Sequence, residues 1–259
     1  MRAHLVIAAL ALGAGGAAEA QEAVHDPFEK FNRGVFSFNA TVDRYALEPV
    51  AKGYRAITPT PVRTGVNNAL ANLAAPVTFA NDVLQAAPSR AGTTLARFGI
   101  NSTIGVVGIF DVARGMGLPK HTEDFGQTLG RWGVGSGPFL MLPLFGPSSL
   151  RDAPGRIVDV AFDPLNYAQF DGDDAVRISR AAVGTIAARE NAIEAIDSVR
   201  ASSIDPYVTV RSTYAALREG AIRNGQTDVQ DLPDFDETPS EPQAEPPNAA
   251  RPVTPPQGN

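Results

Sequence analysis

Side-chain catalysis needs particular residue types at particular spacings, and this 259-residue chain offers few of them. Beyond the first 20 residues its histidines are His25 and His121. There is no His pair for a metal and no HExxH helix, and any Ser-His-Asp arrangement would rest on His121 alone. Ser136 lies in Val134-Gly135-Ser136-Gly137-Pro138, where the glycines are one position off the nucleophile-elbow spacing. Asp171, Asp173 and Asp174 suggest the opening of a calcium loop, yet the remaining ligands are missing and a helix start explains them better. With no cysteine there is no thiolate metal site, no cysteine nucleophile, no disulfide and no acylated cysteine. The reading is therefore no enzyme, no catalytic residue, no metal and no cofactor.

The chemistry left is non-covalent. Asn32, Arg33, Asn39, Asn101 and Arg131 stand amid apolar neighbours, a setting in which polar side chains meet lipid headgroups or serve as caps, loop anchors and plain surface. Phe31, Phe36 and Phe38 beside them touch acyl chains or gate a pore on one reading, and fill a core on the other. Together these eight residues are the candidates for a lipid path or gate.

Helices must position them. Phe31, Val35, Phe38, Val42 and Tyr45 recur at steps of four and three, which lines one helix face. Asp26-Pro27 and Glu29 mark its start: a carboxylate for the free amides, a proline with no amide to lose, and an acid at the capping-box position. The same Asp-Pro device precedes helical patterns at Asp163-Pro164 and Asp205-Pro206. Further stripes run through Val62, Val66, Leu70, Leu73 and Val77, with Pro76 breaking or kinking it. Others run through Ile178, Ala182, Ile186, Ile193 and Ile196 as one long helix, and through Tyr207, Val210, Tyr214, Leu217 and Ala221. No strand pairing is evident, so the expected fold is all-α, a single helical domain with interrupted helices.

Between Gly99 and Gly155 the chain becomes apolar and glycine-rich. Its least polar stretches supply the membrane-facing candidates Ile104, Val107, Ile109 and Phe110, then Phe139, Leu140, Leu142, Leu144 and Phe145; for the second stretch core packing is the alternative. Neither can span a bilayer, but one leaflet is about 15 Å of hydrocarbon, or about ten helical residues. Gly126, Gly130, Gly133 and Gly137 fall at steps of four, three and four, which is either a smooth helical strip permitting close approach or a glycine-rich loop.

Arg2, the apolar run Leu5 to Leu12, and Ala18-Glu19-Ala20 read as an export signal over residues 1–20, cleaved before Gln21. The following segment, residues 21–223, suits one domain with a sizeable core. The formal charge of −6 resides in residues 224–259, where Asp228, Asp231, Asp234, Asp236, Glu237, Glu241 and Glu245 face Arg251 alone. That acidic, proline-rich tail is expected to be disordered. The body is near neutral, which argues against nucleic acid as a partner.

Asp26-Pro27-Phe28-Glu29-Lys30-Phe31-Asn32-Arg33 resembles the opening motif of the MlaA/VacJ outer-membrane proteins. The similarity continues through Phe125-Gly126, Thr128-Leu129-Gly130, Gly133-Val134-Gly135, Gly137-Pro138, Leu142-Pro143, Gly146 and Leu150-Arg151-Asp152. It closes on Asp205-Pro206-Tyr207-Val208 and Arg211, so it covers roughly residues 24 to 223 in order.

The resemblance implies a ring-like helical protein in the inner leaflet of the outer membrane, with an amphipathic channel for phospholipid. It further implies a trimeric porin and the soluble periplasmic lipid carrier MlaC as partners, and removal of phospholipid stranded in the outer leaflet as the task. Relatives typically carry an acylated cysteine after the signal. This chain has none, so it is expected at the periplasmic face of the outer membrane without a lipid anchor, held by its own apolar surface or by a partner. A porin-binding adaptor that moves no lipid is the alternative function, and a periplasmic lipid hydrolase a more distant one.

Overall fold

The computed structural model describes residues 24–224, so the expected export signal and the acidic tail from residue 225 onward lie outside the described residues. Within them the chain is predominantly helical, as its periodicity predicts. The first helical run is α1 (Glu29–Val42), a π-helical turn (Asp43–Leu47) and α2 (Glu48–Ile57). Pro49 in the first turn of α2 has no amide for the carbonyl four residues earlier, and the widened turn lies directly ahead of it.

Next come α3 (Thr60–Leu73) and α4 (Ala75–Leu84), separated at Ala74, with Pro76 in the first turn of α4 where a proline costs no hydrogen bond. They are followed by α5 (Pro88–Thr103), the short α6 (Val112–Gly115) and α7 (Phe125–Arg131). The last helices are α8 (Asp152–Phe162), α9 (Asp173–Asn191), α10 (Ile193–Ser202) and α11 (Pro206–Ile222). The stripe from Ile178 to Ile196 is thus two helices rather than one, divided at Ala192.

The expectation of no strands is corrected by an antiparallel hairpin, β1 (Phe139–Leu142) with β2 (Gly146–Ser149), in which Phe139 opposes Ser149 and Leu142 opposes Gly146. Its strands have four residues each, too short for period-two alternation to stand out from a plain apolar run. A hairpin this small is marginal alone; here α1 lies against β1 and α11 against β2.

The glycine strip divides. Gly126 and Gly130 lie in α7, whereas Gly133 (φ +88°) and Gly137 (φ +66°) are left-handed loop positions beyond it. Close approach is real at Gly155 of α8, where a Cβ would come within 2.7 Å of the Gly126 amide nitrogen.

The Asp-Pro starts also divide. Asp205 accepts from the amides of Tyr207 and Val208, and Asp163 from that of Leu165, although the element behind Asp163 is only a 3-10 turn, Pro164–Asn166. Asp26 caps nothing: α1 starts at Glu29 after Phe28 with no side-chain cap, and the Asp26 carboxylate points inward instead.

Among the described residues, buried polar side chains outnumber buried apolar ones. Asn32, Asn81, Asp82 and Thr128 are wholly enclosed, and the aromatic core reduces to Phe139 and Tyr207 with Met141, ringed by Phe36, Val35, Val210 and Tyr214. The α1 stripe is turned outward, with Phe31 65%, Phe38 51% and Tyr45 76% exposed.

Candidate functional site

The inward face of α1 carries Asn32 and Asn39, two helical turns apart, and both serve the backbone of the hairpin. Asn32 donates to the Phe139 carbonyl (3.0 Å) and to Asp26 (2.8 Å), and accepts from the Met141 amide (2.9 Å). Asn39 donates to the Leu142 carbonyl (2.9 Å) and accepts from the Leu144 amide (2.8 Å). A carboxamide offers one donor and one acceptor side by side, as a strand does, so Asn32 bonds the free edge of β1 as a partner strand would, and Asn39 ties the end of β1 to the turn beyond it. The His25 carbonyl completes that edge by accepting from the Phe139 amide (2.9 Å).

Asp26 joins the chain ends. It accepts from Asn32, from the Tyr207 hydroxyl and from Arg211 (3.1 Å). Burial favours its protonation, but these donors outweigh it and leave the carboxyl below the ordinary carboxylate range. Burial and the Asp26 bond together push the Tyr207 phenol up. Arg33 lies over the Tyr207 ring (4.4 Å), with Asp205 gripped bidentately (2.7 and 3.2 Å) and Glu29 at 2.8 Å. The opening block and the Asp205-to-Arg211 block are thus two halves of one clasp.

A second polar layer lies between α3, α4 and α5. Asn72 donates to the Ser102 hydroxyl (2.9 Å); Asn101 donates to Asp111 (3.0 Å) and accepts from the Ala113 amide (3.0 Å). Buried Asp82 holds Thr94 (2.6 Å) and His121 (3.0 Å), with Arg90 at 3.6 Å. These groups border a cavity of about 40 Å³ lined by Asn68, Asn72, Thr94, Arg97, Lys120 and His121. It has room for a few waters, not for a lipid headgroup. Lower in the fold Asp152, fixed by Arg151 (2.8 Å), Arg218 (2.9 Å) and Tyr214, is raised by burial and lowered further by those donors, to about 2.

The apolar rim begins where α5 ends. The loop after Thr103 is wound tightly, with Gly108 donating to the Asn101 carbonyl (2.7 Å) and Phe110 to that of Gly105 (2.9 Å). Val106 (φ +52°) and Val107 (φ +55°) are left-handed, a conformation costing a β-branched residue about 1 kcal/mol or more. Gly108 continues it at φ +87°, where a Cβ would lie 2.4 Å from that of Asn72. Asn68 ties the loop down through the Ile109 carbonyl (3.2 Å). The result holds Ile104, Val107, Ile109 and Phe110 outward, with Phe110 60% exposed.

The candidates therefore separate. Asn32, Asn39 and Asn101 are spent on backbone and Asp111, Arg33 on carboxylates, and Phe36 packs edge-on against Tyr207 (5.7 Å), while Arg131 reaches the Ile222 carbonyl only at 3.5 Å. Phe31 and Phe38 are outside. Of the membrane-facing candidates Leu144 and Phe145 are exposed at the hairpin tip, and Leu140 and Leu142 are half-buried. Phe139, at 2% exposure between Tyr207 and Tyr214, belongs to the core. Sequence reading missed Asp26, Asp82, Asp152 and Tyr214 as interior groups. The available signal for Asp26 and Asp152 was their place inside the ordered blocks.

The family model for MlaA lipoprotein matches residues 24–221. The chain belongs to the MlaA family. It is 34% identical over 229 residues to the intermembrane phospholipid transport system lipoprotein MlaA of Escherichia coli (strain K12), covering 86% of this chain and 89% of that one. The protein of that name in Haemophilus influenzae (strain ATCC 51907 / DSM 11121 / KW20 / Rd) is 31% identical over 215 residues, 81% of this chain and 85% of its own. An uncharacterized protein of Rickettsia felis (strain ATCC VR-1525 / URRWXCal2) is 38% identical over 201 residues, 77% and 79% of the two chains. A solved chain from work on the structural basis for maintenance of bacterial outer membrane lipid asymmetry superposes with a TM-score of 0.66 at 36% identity, covering 76% of this chain and 98% of its own. The MlaA-type helical fold thus holds across the described body, and both halves of the Asp26 clasp fall within the matched residues.

Proposed function

We propose that this protein, seated in the inner leaflet of the outer membrane beside a trimeric porin, passes phospholipid stranded in the outer leaflet through an amphipathic channel to a soluble periplasmic carrier of the MlaC kind. The observation that carries the reading is the inverted burial: polar side chains inside, large apolar side chains outside. In water such a surface favours association, whereas in hydrocarbon it is the expected one. Among the described residues no helix is long and apolar enough to cross a membrane. Residence in one leaflet fits elements of this length better than a span.

A translocator must keep a headgroup away from hydrocarbon, at a cost of several kcal/mol or more if it fails. It must also keep two acyl chains out of water, at roughly 0.8 kcal/mol per methylene. The polar layer between α3, α4 and α5 beside the exposed rim supplies those two environments at one border. Its cavity is closed to a headgroup, so passage requires α3 or α5 to move, and the strained Val106-Val107 turn joins α5 to the rim. No bond is made or broken.

The test is transfer of labelled phospholipid from vesicles carrying the protein to the soluble carrier. Transfer well above that of protein-free vesicles supports the proposal. Porin binding without transfer would favour the adaptor reading, and release of fatty acid a hydrolase.

A further inference from the structure

A groove of about 410 Å³ opens between α1 and the hairpin. Phe36, Leu47, Met141, Ile196, Val199 and Val210 give it apolar walls drawn from α1 and its π turn, the hairpin, α10 and α11. That volume falls in the range of small-molecule sites. π-helical turns recur at functional positions, and this one forms part of the wall.

The polar side chains at the groove decide what it takes. Asn39 is committed to both the Leu142 carbonyl and the Leu144 amide. Asp43 accepts from Arg189 Nη2 (3.0 Å) and Arg200 (2.7 Å), and Arg200 also pairs with Glu48 (2.5 Å). Each polar side chain that lines the groove, Asn39, Asp43 and Arg200, is therefore already partnered within the protein. A peptide segment would bring amides and carbonyls that find no partner here, and a headgroup would bring a phosphate to a cluster already neutralised. An alkyl chain brings neither. The mouth is framed by Leu144 and Phe145, both exposed, so apolar surface continues from the groove onto the hairpin tip.

We infer that this groove is a binding site for one acyl chain of a phospholipid, indifferent to the headgroup. The inference rests on the lipid-handling reading above and adds to it a seat where one chain is sheltered beside the hairpin.

The test uses the full-length protein in vesicles containing a phospholipid with a photoactivatable group near the end of one chain, followed by mapping of the labelled residues. Adducts on Met141, Ile196, Val199 or Val210, alike for phosphoethanolamine and phosphoglycerol headgroups, are expected. Ala195→Trp fills the groove from an exposed wall position and should lower those adducts at least tenfold while labelling at Phe110 persists. If that variant does not fold, Ala40→Trp on the opposite wall serves the same purpose. Adducts confined to the outer rim, or groove adducts unchanged in a folded Trp variant, overturn the inference. Groove labelling that persists without any transfer to a carrier would overturn transport and leave the acyl site standing.

Discussion

The underside of α1 and the loop from Ile104 to Phe110 invert the ordinary relation between polarity and burial, in opposite ways. Beneath α1, Asn32 and the Asp26 carboxylate are enclosed, and each of their polar side-chain atoms is bonded within the protein. On the loop, Ile104, Val107 and Phe110 are held outward by a strained turn, and the protein offers them no partner. The first region is complete in itself, so disturbing it should cost stability. The second leaves apolar surface open, so on the proposed reading disturbing it should cost membrane affinity and leave the fold alone.

The sharpest break between the two lies along one helix. Asn32→Ala leaves the Phe139 carbonyl and the Met141 amide unbonded in the interior and should cost about 3 kcal/mol. Phe31→Ala, one residue away on the outer face, should stay within about 0.5 kcal/mol in detergent solution. Equal shifts in the denaturant midpoints of the two variants would erase the contrast.

At the border, Gly108→Ala combines a left-handed φ with a Cβ driven against Asn72. A loss of about 2 to 3 kcal/mol is expected from the strain and the displaced amide. Thermal melts compared with Gly117→Ala, where φ is +82° but nothing lies within 4 Å, separate the two contributions.

The interior also predicts a pH response. Asp152 titrates at about 2 in the folded protein against 3.8 for the ordinary group. Its stabilisation is fully present above about pH 4 and is lost as pH falls toward 2, amounting to about 2 kcal/mol. Unfolding midpoints measured from pH 6 to pH 2 should fall more steeply for the wild type than for Asp152→Asn; parallel curves would show that this carboxylate is not the source.

The smallest energy belongs to the rim. Phe110→Asp should lower partitioning into phospholipid vesicles about tenfold, or about 1.4 kcal/mol. Its midpoint in detergent should not change. Co-sedimentation with vesicles measures the first, and a matched drop in stability would mean that the loop is part of the core.

Much of the helical architecture was legible in local patterns. Prolines at helix starts, Asp205 as a cap and the α11 stripe depend on residues within one or two turns, and sequence displays that range directly. The hairpin was not legible, because four of the five bonds that hold its edge and turn come from Asn32 and Asn39, more than 100 residues away. Asp26 misled for a related reason: its neighbours fit a helix cap, while its partners Tyr207 and Arg211 lie at the other end of the chain. For Phe139 and Phe145, composition is the same, and only the hairpin's placement made one core and the other rim.

By itself the sequence determined a cysteine-free helical body of the MlaA family, short of catalytic groupings, with aromatic and asparagine residues interleaved near residue 30. Periodicity marks which residues share a helix face, because that depends on backbone geometry alone. Which face turns inward depends on what packs against it. Tertiary structure alone decided that the asparagine face of α1 meets the hairpin and its phenylalanine face meets the surroundings, because the hydrogen bonds that favour this orientation lie with partners far along the chain.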